Sequence, residues 1–108
     1  MIIRCYRGVA EDHIYYQEAL RGIARPRGGT ATVAEHNGGN TKSEFTSWTT
    51  SYQIAMNKAL ESDLGGHGVV LRRDFDRAEL ILSPDTYDES EWFVFGIVGG
   101  ASVKEVPE

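Results

Sequence analysis

Two glutamates flank a serine at Glu89-Ser90-Glu91, directly before the apolar run Trp92-Phe93-Val94-Phe95. In an extended chain, residues two apart share a face, so the two carboxylates stand on the same side. Like charges repel, and a purely structural sheet gains little from the pair beyond a solvated strand start. A site that must stabilise a developing positive charge gains a good deal from it. Two further segments offer partners. In Phe45-Thr46-Ser47-Trp48-Thr49-Thr50, alternation sets Phe45, Ser47 and Thr49 on one face, a row of hydroxyls beside a ring. Such hydroxyls orient a carboxylate or a ribose, or simply furnish a Thr-rich strand. In Tyr6-Arg7-Gly8 an arginine stands beside a glycine. The planar guanidinium fork matches phosphate, and glycine permits close backbone approach.

These side chains need elements to hold them. Residues 2–7 read as a first strand closed by Gly8, with Ile3, Cys5 and Arg7 on one face and Ile2, Arg4 and Tyr6 on the other. Residues 12–24 read as a helix carrying Tyr16, Ala19, Leu20, Ile23 and Ala24 on one stripe, ended by Pro26 and Gly28-Gly29. Residues 25–43 are polar and glycine-rich, an unusually long loop for a small domain and the kind that often serves function. A strand over 45–50 leads into a helix over about 51–62, with Thr50 and Gln53 as a capping box and Gly65-Gly66 as a stop. Four strands are expected at 68–73, 78–82, 92–97 and 101–106, with a turn-rich loop at 83–88. Asp74 and Asp76 around Phe75 read as a solvated turn. The order predicts an α+β domain of mostly antiparallel strands with two helices.

At 108 residues the chain suits one domain, with a charge of -5 that disfavours general nucleic-acid binding. No apolar run approaches the ~20 residues of a membrane-crossing helix. The lone Cys5 reads as a buried strand residue, and His13 and His67 have no spacing that suggests a metal site.

In this order, Tyr6-Arg7-Gly8, the aromatic-x-Ser-x-Thr strand and Glu89-Ser90-Glu91 resemble the bacterial mono-ADP-ribosyltransferase toxins of the arginine–serine–glutamate class. The chain is also similar to the C-terminal toxin domains of Rhs-type polymorphic toxins. That likeness lies in Cys5-Tyr6-Arg7-Gly8-Val9, Pro26-Arg27-Gly28-Gly29, His36-Asn37-Gly38-Gly39-Asn40-Thr41 and Phe45-Thr46-Ser47-Trp48-Thr49-Thr50. It spans nearly the whole chain. The chain departs from the family's Ser-Thr-Ser triplet, with Trp48 and Thr49 after Ser47.

The resemblance implies a compact ADP-ribosyltransferase-like fold, a split β core with an NAD cleft, in a single domain over 1–108 at the end of a larger delivered protein. It implies that Arg7, beside Gly8, holds the NAD⁺ phosphates, with Arg4 a lesser competitor on the opposite face. Ser47 orients the catalytic Glu91, and Trp48 and Thr49 flank the cofactor or pack the core. Glu91 stabilises the oxocarbenium-like charge as NAD⁺ is cleaved, while Glu89 and Tyr87 address the acceptor. His36 and Asn37 belong to a loop able to close over NAD⁺. The implied activity is transfer of ADP-ribose to a target protein, expected at arginine, inside a competing cell; RNA is a second acceptor class. NAD⁺ glycohydrolysis and a non-catalytic interaction domain are the alternatives. A secreted or injected effector of this kind implies a cognate immunity protein, and no metal or membrane insertion is expected.

Overall fold

The computed structural model describes residues 1–28, 44–83 and 90–107. Their elements are strand β1 (Ile2–Ala10), helix α1 (Tyr16–Ala19), β2 (Phe45–Thr49), helix α2 (Tyr52–Ala59), β3 (Gly68–Asp76), β4 (Ile81–Leu82), β5 (Glu91–Phe95) and β6 (Ser102–Val106). The strands form one sheet in the order β4-β5-β2-β1-β3-β6, and its pairings are antiparallel. Among the described residues the architecture is α+β, one antiparallel sheet with two helices.

β1 and β3 form the spine, paired in register from Ile2↔Asp76 to Ala10↔Gly68. Alternation then sends their side chains to two cores. Cys5, Val9, Val69, Leu71 and Phe75 are buried on one face, where they meet Trp48 and Val94. Ala19, Ala24 and Val98 cover this layer. Trp48 meets Phe75 edge to face, with ring centroids 4.9 Å apart, and its indole N–H donates to Thr46 Oγ1 at 2.8 Å. The buried indole thereby keeps its one polar group satisfied. On the other face α2 lays Ala55 and Ala59 against Val70 and Val106.

Several expectations are corrected here. β1 does not stop at Gly8 but runs through it to Ala10. The glycine is needed for a different reason: a Cβ there would overlap the Ala55 carbonyl oxygen of α2, so its absence lets helix and strand touch. The helix expected over 12–24 shrinks to Tyr16–Ala19. Gly22 turns the chain at φ 77°, and Ala24 then bridges to Val98 instead of continuing a helix. α2 is capped by Ser51, whose side chain accepts from Ile54 N–H at 3.2 Å, one residue later than expected. Gln53 instead donates to Asn57. The acid-flanked Phe75 is not in a turn. β3 continues through it, burying Phe75 fully while Asp74 faces out to Arg4. The strand expected at 78–82 is largely a 3-10 turn over Arg77–Glu79, where Asp76 and Glu79 make the capping box, followed by the two-residue β4.

The close seat of α2 predicts that Gly8→Ala lowers stability by about 1–3 kcal/mol, read as a lower urea midpoint at unchanged slope. A wild-type midpoint would mean the helix does not sit on Gly8.

Candidate active site

The sheet has one weak seam. β1 and β2 are neighbours but share a single register pair, Tyr6↔Thr49, whereas β1 and β3 pair along their whole length. At this seam opens a cavity of about 690 Å³. Its walls come from β1, β2 and β5, from α2 through Ile54 and Lys58, and from the 12–27 stretch through Asp12, His13 and Arg25 to Arg27.

Arg7, Gly8, Ser47, Trp48, Thr49 and Glu91 all line this one cavity, although the first and last lie 84 positions apart in sequence (91 − 7). Register explains the grouping. Thr49 faces Tyr6 across one strand boundary and Glu91 across the other, and Ser47 faces Phe93. Ser47 is therefore the diagonal neighbour of Glu91, within the span that long side chains bridge. The backbone of Glu91 is held on both sides: Thr50 N–H donates to Ser90 O on the β2 side, and Ser83 N–H donates to Glu91 O on the other. Thr49 Oγ1 also lies 3.3 Å from Ser90 Oγ. Trp48 contributes to the wall, but its ring belongs to the core, as the Phe75 contact shows.

Arg7 is the unusual group. Nη1 donates to the Ser47 carbonyl at 3.0 Å, while Nε is buried without a hydrogen-bond partner. Among the described residues it forms no ion pair. Burial, with Arg27 nearby, pushes the guanidinium down to about 10. A half-buried guanidinium with no counter-charge among the described residues costs stability. Arg4, the competitor on the opposite face, is already satisfied by a two-pronged bond to Asp74 at 2.8 and 3.1 Å. Arg25 is likewise committed, to Glu18 at 2.8 Å.

His13 and Arg27 join the wall without having been marked as site residues by the motifs. Pro26-Arg27 did fall within a resembling segment; nothing in spacing or periodicity pointed to His13. Burial, then Arg7 and Arg27, push its imidazole down to about 4. Tyr87, Glu89, His36 and Asn37 lie outside the described residues. Among the described residues no group of three His, Cys, Asp or Glu side chains is placed to hold a metal, and no helix is long and apolar enough to cross a membrane. No protein-family model matches the chain, and neither does any curated protein or solved structure.

Two stability measurements test this electrostatic picture. Arg7→Met keeps the stem and removes the unpaired charge, so unfolding without ligand should be unchanged or stabilised by about 0.5–2 kcal/mol. A clear loss of stability would make Arg7 a structural residue. For His13 the unfolded chain takes up its proton near pH 6.5 and the folded one only near 4. The unfolded state thus binds more protons between these values, and stability falls as pH is lowered through that window. His13→Gln should flatten the slope.

Proposed function

We propose that the protein is a mono-ADP-ribosyltransferase of the toxin type, which splits NAD⁺ in the cavity at the β1–β2 seam. The observation that carries the reading is the meeting of three groups in one cavity: Arg7, with no ion pair among the described residues, Ser47 and the Glu91 carboxylate. The cavity's volume of about 690 Å³ falls in the range of small-molecule sites, roughly 300–1,000 Å³. The sequence resemblance supplies the identity of the ligand.

In this reading Arg7 binds the diphosphate of NAD⁺ through the terminal N–H groups that the Ser47 carbonyl leaves open. Glu91, with Ser47 as its orienting neighbour, stabilises the ribose as the C1′–N bond breaks. The bonding pair leaves with the nicotinamide nitrogen and cancels its pyridinium charge, while C1′ becomes oxocarbenium-like. A fixed carboxylate is complementary to that charge in the transition state and much less so in the ground state. The acceptor's nucleophile then attacks C1′ and releases its proton to Glu89. A protein arginine is the proposed acceptor. Water in its place would make the same site a glycohydrolase. As a toxin the domain acts in the cytoplasm of a target cell, and a cognate immunity protein would block this cavity.

Glu91→Gln removes the charge and keeps the shape, and should slow NAD⁺ consumption by about 10²–10³-fold in a protein that still folds. Undiminished consumption would end this reading. Glu89→Ala separates transferase from glycohydrolase: hydrolysis kept while labelled ADP-ribose no longer reaches extract proteins marks a transferase.

A further inference from the structure

His13 carries the second inference. It follows the end of β1, where its own N–H donates to Ala10 O and its carbonyl accepts from Tyr16 N–H, each at 3.0 Å. The ring is fixed as well: Nδ1 accepts the Tyr15 backbone N–H at 3.0 Å. An acceptor at Nδ1 cannot also carry a proton, so the neutral ring must carry its hydrogen on Nε2. None of the described residues bonds Nε2, and it is not among the buried polar atoms lacking a partner. The ring therefore lines the cavity with a fixed N–H donor open to solvent.

We propose that His13 is a ligand-binding residue, whose Nε2–H donates to a phosphate oxygen of the diphosphate held by Arg7. This deepens the proposed function and rests on it for the ligand's identity. The chemistry suits the place. Beside the ring stand Arg7 and Arg27, which outweigh Asp12 in their action on it, while Glu61 and Glu91 line the same cavity. A third cation there would be repelled, whereas a neutral donor adds a hydrogen bond to an anion with no such repulsion. The imidazole, held near 4 by burial and these two arginines, stays neutral at pH 7.

The two amide side chains divide the roles of the ring. Asn at position 13 places an oxygen near Nδ1, keeping the acceptor for the Tyr15 N–H but leaving no donor at the Nε2 position. Gln places an amide N–H near Nε2. Binding of ADP-ribose and of inorganic pyrophosphate would be measured by calorimetry on the wild-type chain, His13→Asn and His13→Gln, with no turnover required. His13→Asn should bind about tenfold more weakly or worse, and His13→Gln within about threefold of wild type. Wild-type affinity in His13→Asn, an equal loss in both variants, or a wild-type chain that binds neither probe would overturn the inference. If the split appears with either probe while NAD⁺ is never consumed, the donor role stands and the transferase reading falls.

Discussion

Arg7 reaches across the seam between β1 and β2 and donates to the Ser47 carbonyl, at the place where the sheet's ladder fails. Backbone pairing there amounts to Tyr6↔Thr49, and the strands are otherwise joined through side chains. A continuous ladder would close the cavity and leave the guanidinium nowhere to go. An unjoined seam would separate β1 and β3 from β2, β5 and β4. The rest of the structure is arranged around keeping this half-open state. α2 rests on β1 through the missing side chain of Gly8, and Trp48 ties β2 to Phe75 of β3 in the opposite core. The two sides of the seam are thus held by packing above and below it, and the cavity opens between them.

The charge distribution follows from the same arrangement. The chain is acidic overall, with a charge of -5, yet Arg7, Arg25, Arg27 and Lys58 line one cavity beside Asp12, Glu61 and Glu91. Local grouping of like charge against a low-dielectric wall raises the potential felt by an anion far above what net charge suggests. Burial first, and the neighbouring arginines second, depress the titration of Arg7 and His13. Arg4 is paired with Asp74 and Arg25 with Glu18.

Much of the fold was legible in local pattern. Alternation along 2–7 put Cys5 and Arg7 on one face and Tyr6 on the other, and the two cores divide as that alternation requires. The errors have a common cause. Phe75 between two aspartates looks like a turn by composition, but nine ladder pairs with β1 and a full burial of the ring outweigh the weak local preference. Residues 20–24 have helical spacing, yet Gly22 and the Ala24–Val98 bridge draw the chain to the sheet. Gly8 looked like punctuation and is a contact surface, a distinction visible only once α2 is in place. His13 was passed over because its meaning depends on neighbours at Arg7 and Arg27 and on one backbone N–H.

By itself the sequence determined the kinds of element, their order, the α+β class and the short set of residues with chemistry to offer: Arg7, Ser47 and Glu91 among them. Periodicity and residue type are local properties, and they survive into the folded chain wherever nothing stronger opposes them. Only the tertiary structure decided that these residues share one cavity, that Arg7 Nε is buried without a partner while Arg4 is held by Asp74, and that His13 lies beside them. Register, burial and the field of distant charges arise from strands paired across the whole length of the chain, so no window of sequence contains them.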